Sequence, residues 1–556
     1  MNNKLRIGIL VDSDQIPNWT FKMLERVHAS NYAEFVLIVK NDAPTPSKKS
    51  VYRKVRDNFG RLIYLVLTRI DDAIFKSEPN AFEPKHIHQL LPNTPSITVK
   101  PIQKSFSDYF REDDIKTIKS HHIDVLIRLG VRILRGEVLT CARYGVWSYH
   151  HGDNRINRGG PVGFWEVLDG CGETGSILQI LSEDLDSGQI LYRSHSQTDH
   201  LSVRRNKNNY YWKTLSFLPR KLKELYELGG EDFLSRVRQD NQHPFFYSRR
   251  IFTEPKHAEL IGLTLRHYSK YIWRKLQSLF YFDQWILLYD ANHMAECSSS
   301  LWRFKEIVPP KDRFWADPFI IYDNHKYYVF IEEFLYKKNK GHISYLTIDE
   351  NGNTSVPKKI IEKPYHLSYP FVFSHNNEYY MIPETADNRT IELYKCVQFP
   401  EKWELATTLM KDIYAVDPTV FLKDGKWWLF VNVCENEGAS PLDELFLFYS
   451  ADLFCGNWTP HPKNPVVSDV KSARPAGRIF SFNGNVYRPS QNNSWRYGYG
   501  MKLNQIVALS ETEYKEVCVN DIEPQWDKRM RGIHTLNCVE KLTMVDAIKR
   551  RPRYFS

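Results

Sequence analysis

The second half of the chain repeats itself, and the repeat leaves few folds open. Three segments share one plan: ADPFIIYDNHKYYVFIEE (316–333), SYPFVFSHNNEYYMIPE (368–384) and VDPTVFLKDGKWWLFVNV (416–433). Each carries a proline, an apolar strand, a polar turn and an aromatic strand. A weaker copy is ARPAGRIFSFNGNVYRPSQ (473–491), and Pro318, Pro370, Pro418 and Pro475 stand 52, 48 and 57 residues apart. A hairpin cannot bury its own apolar face, so hairpins recurring at such a period predict small sheets packed around a centre. GIHTLNCVEKLTMVDA (532–547) supplies a fifth copy. The expectation is a five-bladed β-propeller over residues 284–556, with a plain antiparallel sandwich as the alternative.

The first half has another texture. RIGILV (6–11), AEFVLIVKND (33–42) and DVLIRLG (124–130) read as buried strands, while NWTFKMLERVHAS (18–30) and DYFREDDIKTIKSHHI (108–123) carry helical spacing. Strands alternating with helices predict a doubly wound, Rossmann-like α/β domain, here residues 1–250. The chain is therefore expected to be multidomain, α/β followed by all-β. Residues 251–283 form the linker, and LTLRHYSKYIWRKLQSLFYF (263–282) is its basic, aromatic helix. That helix suits packing on the propeller or peripheral contact with a membrane surface.

Doubly wound sheets bind ligands beyond the carboxyl ends of their strands. SYHHGDNRINRGGP (148–161) lies there, after the strand YGVWSYH. This segment resembles the active-site segment of the folate-dependent formyltransferases, which include methionyl-tRNA and sugar N-formyltransferases. ETGSILQILSEDLDSGQIL (173–191) and DVLIRLGVRILRGEVL (124–139) are similar to two further segments of that family. The resemblance implies a formyl transfer from 10-formyltetrahydrofolate to the amine of an amino sugar, nucleotide-linked and made for surface polysaccharide. It places His150 and Asp186 as the catalytic pair and Ser148 where the family has asparagine. It implies a cofactor pocket at Arg128, Leu129, Gly130, Val131, Ile133 and Leu134. The acceptor side is assigned to His151, Asn157, Arg158, Gly159 and Trp165. A histidine near neutral pKa can relay the amine's proton, and an acid beside it can orient the ring. His151 is the alternative catalytic histidine, and Trp165 suits the core as well as a pocket wall.

The repeats resemble the five-bladed propellers of family 43 glycoside hydrolases. FWADPF places Asp317 on that family's general base, and VDPTVF places Asp417 on a later-blade aspartate. The family's general acid has no counterpart, because the fourth copy has Arg474-Pro475. Asp317, Asp417, Glu384, Arg389 and Arg474 are expected to line a central funnel, with Glu332, Glu333, His366 and Tyr369 as further candidates. A glycan-processing hydrolase and a non-catalytic glycan-binding protein are the alternative functions.

The formal charge of +9 favours anionic partners, but no dense Lys/Arg run points to nucleic acid. No run of 18 apolar residues spans a membrane. Eight cysteines, Cys141, Cys171, Cys297, Cys396, Cys434, Cys455, Cys518 and Cys538, include no CxxC pair, so a metal site is not expected. The N-terminus turns polar at Asp12, too soon for a signal peptide. Free thiols in a cytoplasmic protein are the reading.

Overall fold

The computed structural model describes residues 3–42, 61–104, 106–291, 297–454 and 456–554. The chain divides into two compact units, residues 1–268 with 436–440 and residues 269–435 with 441–556.

The first unit is α/β. The strands of its seven-stranded sheet are β1 (Leu5–Val11), β2 (Ala33–Asn41), β3 (Ser96–Val99), β4 (Val125–Arg128), β5 (Val146–His150), β6 (Glu173–Ile180) and β7 (Gln189–Gln197). Their order is β7-β6-β5-β4-β1-β2-β3. The five strands β5 to β3 are parallel, whereas β6 and β7 run antiparallel. Period-two alternation serves both faces of β1. Ile7, Ile9 and Val11 pack with Met23, Leu24 and Val27 of α1 (Asn18–His28). Leu10 turns the other way and packs with Ile115 and Ile118. Sequential strands leave β1 in opposite directions, toward β2 and toward β4, so a crevice opens at their carboxyl ends. Asp12, Arg128 and His150 stand at those ends. Three further helices matter below: α2 (Phe164–Asp169), α3 (Val203–Thr214) and α4 (His257–Phe280).

The second unit is propeller-like and sheet-rich. Five antiparallel sheets succeed one another along it. Its first strand, β8 (Tyr281–Ala291), pairs over its whole length with its last, β13 (Leu542–Pro552). The inner strands repeat one irregularity. The ladder of β9 (Arg313–Asp323) slips between Ala316 and Phe319, and that of β10 (Ser368–His375) between Ser368 and Phe371. β11 (Ala415–Lys423) slips between Val416 and Thr419, and β12 (Met530–Val539) between Ile533 and Leu536. A bulge releases residues from the ladder and re-aims their side chains. Pro318, Pro370 and Pro418 sit in these bulges, where the missing N–H breaks no ladder bond. The preceding residues, Asp317, Tyr369 and Asp417, take left-handed φ of 51°, 43° and 52°. Non-glycine residues hold that conformation at a cost of about 1–3 kcal/mol, which the surrounding structure must impose.

The thiol expectation is corrected: Cys297 and Cys538 form a disulfide. They are 241 residues apart, so no local spacing announces the bond. Cys455 lies outside the described residues.

Candidate functional site

In the α/β unit the structure brings His150 and Asp186 together. His150 ends β5, and its Nδ1 stands 3.5 Å from Asp186 Oδ1. Its Nε2 contacts the Asn157 carbonyl at 2.9 Å. Asp186 itself has φ of 50° and accepts the Gly159 N–H at 3.2 Å. Gly159 is required here: a Cβ would lie 2.3 Å from the Phe252 carbonyl oxygen. The Asn157 amide donates to Glu166 of α2 at 3.2 Å. Burial raises the Glu166 carboxyl above its ordinary value. Glu166 and Lys207, whose ammonium burial destabilises, are charged neighbours that motif reading passed over.

Other expected members are occupied elsewhere. Ser148 is buried, accepts from Arg128 Nη1 at 3.0 Å and donates to the Tyr149 carbonyl at 3.3 Å. Its hydroxyl is thus engaged inside the fold. His151 stacks on Tyr211 with ring centroids 3.7 Å apart, among Trp19, Tyr149 and Tyr210. Burial there holds its pKa well below the usual histidine range. Arg158 bonds the Asn154 carbonyl and lies over the Tyr247 ring. Trp165 is buried in a core cluster with Tyr64, Phe164 and Leu260.

The expected cofactor segment is also bonded internally. Leu129 N–H donates to Leu10 O at 2.9 Å, and Val131 N–H to Asp12 Oδ1 at 2.7 Å. Arg128 Nη2 donates to the Val131 carbonyl at 2.7 Å. A Cβ on Gly130 would lie 2.6 Å from the Asp12 nitrogen. Ile133 pairs with Ser107, and Leu134 is buried in the core.

In the sheet-rich unit the bulges converge on an acidic cluster. Asp317, Glu332, Glu384, Asp417 and Asp546 are all buried. Arg474 grips two of them: its Nε donates to Asp417 Oδ2 at 2.5 Å and its Nη2 to Glu384 Oε2 at 3.3 Å. Gln491 Nε2 donates to Asp417 at 2.7 Å, and the Asp417 N–H donates to Glu384 at 3.2 Å. On the other side Thr535 Oγ1 donates to Asp317 Oδ1 at 2.8 Å, and the Asp317 N–H donates to Asp546 Oδ2 at 2.8 Å. His534 Nδ1 meets Asp546 at 2.8 Å.

Burial sets the titration of this cluster. It raises the Asp317 carboxyl to about 6, against the pull of His534. Burial and the neighbouring acids push Glu332 well above the usual carboxylate range. Burial likewise raises Glu384, although Arg474 opposes the shift. Burial disfavours charge on His534, but Asp546 and Asp317 outweigh it and raise the imidazole above its ordinary value. The cluster reaches solvent beside His366, whose Nε2 stands 3.4 Å from Glu332, and beside Tyr497, whose ring lies over Arg474. Tyr369 joins from below, with its hydroxyl 2.9 Å from Thr419.

Two expectations for this cluster are corrected. Arg389 sits in an exposed turn, where its Nη2 donates to the Asp412 carbonyl at 3.4 Å. Glu333 turns to the opposite side of its strand, toward Arg313, His342 and Ser344. His534 and Thr535 were missed because the fifth copy carries His-Thr where the first and third carry Asp-Pro, and Asp546 because it lies on the strand that follows.

The comparisons fall mainly on this unit. A family model described as glucosamine inositolphosphorylceramide transferase 1, N-terminal, matches residues 291–546. The rice (Oryza sativa subsp. japonica) glucosamine inositolphosphorylceramide transferase 1 is 36% identical over 210 residues, 37% of this chain and 28% of the relative. The chain thus matches less than a third of that relative's length. Among solved structures, the family 117 glycoside hydrolase Zg3597 of Zobellia galactanivorans has a TM-score of 0.31 and 13% identity, covering 48% of this chain and 90% of its own. Glycinamide ribonucleotide transformylase 1 of Symbiobacterium toebii has a TM-score of 0.27 and 10% identity, covering 40% of this chain and 88% of its own. Likenesses of this size say nothing about activity.

The family model and the rice relative overturn the reading of the chain as a folate-dependent N-formyltransferase of surface-polysaccharide synthesis. Both are named for a transferase of glucosamine and inositolphosphorylceramide, not for a formyltransferase or a hydrolase.

Proposed function

We propose that this chain works in glycosyl transfer to a lipid-linked acceptor, and that its sheet-rich unit recognises the amino sugar. In this reading the five sheets are the blades of a five-bladed propeller, closed by the β8–β13 ladder, and the acidic cluster lines its central funnel. The names of the family model and the rice relative, which join glucosamine to inositolphosphorylceramide, support the substrate class. The disulfide favours an oxidising compartment over the cytoplasm.

One observation carries the reading. Five buried carboxylates converge on Arg474 and His534 as their cations, leaving an excess of acid. Burial and the neighbouring acids raise the Glu384 and Glu332 carboxyls and so disfavour their ionisation. A ligand ammonium at the solvent end would supply the missing positive charge and let a carboxyl ionise. Sugar hydroxyls would find acceptors in the same carboxylates, and Tyr497 and His366 offer flat flanks to a sugar ring. Hydrolysis fits less well, because the general acid that glycoside hydrolysis needs has no counterpart: the fourth copy supplies Arg474, which clamps Asp417.

The test is direct binding to the full chain. Glucosamine and glucosaminyl inositol phosphate should bind by calorimetry, and Glu384→Gln should weaken binding roughly tenfold or more, as loss of one charge-assisted bond does. Equal binding of glucose and glucosamine would remove the basis of the proposal.

A further inference from the structure

The helix α4 (His257–Phe280) presents an apolar face that the protein leaves uncovered. Leu260 is its one buried residue. Ile272, Trp273, Leu276, Leu279 and Phe280 are 57%, 62%, 48%, 58% and 61% exposed. At about 100° per residue, Leu265, Ile272, Trp273, Leu276, Leu279 and Phe280 fall within one arc of roughly 120°. Arg266 and Lys270 follow one edge of that arc, Lys275 follows the other, and Arg274 lies on the opposite side. No acidic residue occurs between Leu260 and Phe282.

The helix is held at its C-terminal end. Arg550 Nη1 donates to Gln277 Oε1 at 3.0 Å, and Arg553 Nε donates to the Ser278 carbonyl at 2.9 Å. The Arg553 N–H donates to the Phe280 carbonyl at 2.9 Å. Both arginines come from the last strand and its extension. These tethers hold the C-terminal end of the helix, and the one side chain among them, Gln277, lies off the apolar arc. No helix among the described residues is long and apolar enough to cross a membrane.

We infer that α4 is a peripheral membrane anchor, lying in the interface of an anionic bilayer with its apolar arc among the acyl chains. Charge complementarity selects this occupant: an acid-free segment with basic edges suits anionic headgroups, while a large aromatic and aliphatic arc suits the boundary beneath them. The inference goes beyond the sugar reading and stands or falls apart from it.

The experiment is sedimentation of the full chain with phosphatidylcholine vesicles, alone or containing phosphatidylserine. The wild type should pellet with the phosphatidylserine vesicles. Combined Ile272→Glu, Trp273→Glu and Leu276→Glu should reduce that partitioning roughly a hundredfold or more, given the apolar area withdrawn. Combined Lys270→Ala, Arg274→Ala and Lys275→Ala should reduce it by about tenfold or more, and salt should do the same to the wild type. The substituted side chains are exposed, so circular dichroism should show all three proteins folded alike. Pelleting that is absent, or equal for wild type and variants, would overturn the inference. So would a dimer of the wild type that the triple-Glu variant dissolves, because the occupant would then be a second copy of the chain.

Discussion

Each unit joins histidine to aspartate, and the two joints are built differently. In the α/β unit His150 and Asp186 meet at 3.5 Å, with Asp186 delivered by a loop. In the sheet-rich unit His534 and Asp546 meet at 2.8 Å, deep in a cluster that strand bulges assemble. A loop-built pair depends on few contacts and can relax when one is lost. The bulge-built cluster is over-determined: backbone N–H groups, Thr535, Gln491 and Arg474 all hold its carboxylates. The same residue types thus make a loose pair in one place and a locked, charge-strained cluster in the other.

The sharpest way to break this contrast is Arg474→Met. It leaves Asp417 and Glu384 buried without their cation, which should cost about 3–5 kcal/mol. Chemical denaturation should show the sheet-rich unit unfolding early, with the α/β transition unmoved. A second route is Cys297→Ser with Cys538→Ser. Losing a bond that closes so long a loop should cost about 2–5 kcal/mol in the same unit, readable also by adding reductant to the wild type.

Titration sharpens the contrast further. Asp317, raised to about 6, binds its proton more tightly folded than unfolded. Its contribution to stability is complete below the unfolded value of about 3.9 and is lost as pH rises through about 6. His534, also raised, contributes below about 6.5 and loses its contribution as pH rises past its folded value. Both signs agree: the unit should melt at a higher temperature near about pH 5 than near about pH 8, and Asp317→Asn should flatten the difference. The smallest expected effect is Asp186→Asn. The amide keeps an acceptor for Gly159, so thermal unfolding should register less than about 1 kcal/mol.

Legibility followed locality. The Asp-Pro and Tyr-Pro repeats announced the inner strands, because a proline beside a polar residue suits a bulge wherever it occurs. Arg474 stood in register with them and was found. His534 was not, since the fifth copy keeps the bulge without the proline. Arg389 misled because a turn residue in left-handed conformation (φ of 56°) looks, in sequence, no different from a strand residue aimed inward. In the α/β unit the order of motifs placed His150 and Asp186 correctly side by side. What it could not show is that Asp12, 119 residues before Val131, takes the Val131 N–H. Resemblance of motif order therefore suggested a chemistry that the relatives do not support. The disulfide was illegible for the same reason of distance.

The account's central claim is that the acidic funnel takes the ammonium of an amino sugar. Calorimetry of the full chain with glucosamine and with N-acetylglucosamine, at about pH 5 and about pH 7, tests it most directly. Glucosamine should bind more tightly at the higher pH, as Asp317 gives up its proton, and N-acetylglucosamine should bind weakly and without that dependence. Equal affinities for the two sugars, or glucosamine binding that weakens as the pH rises between those points, would contradict the claim.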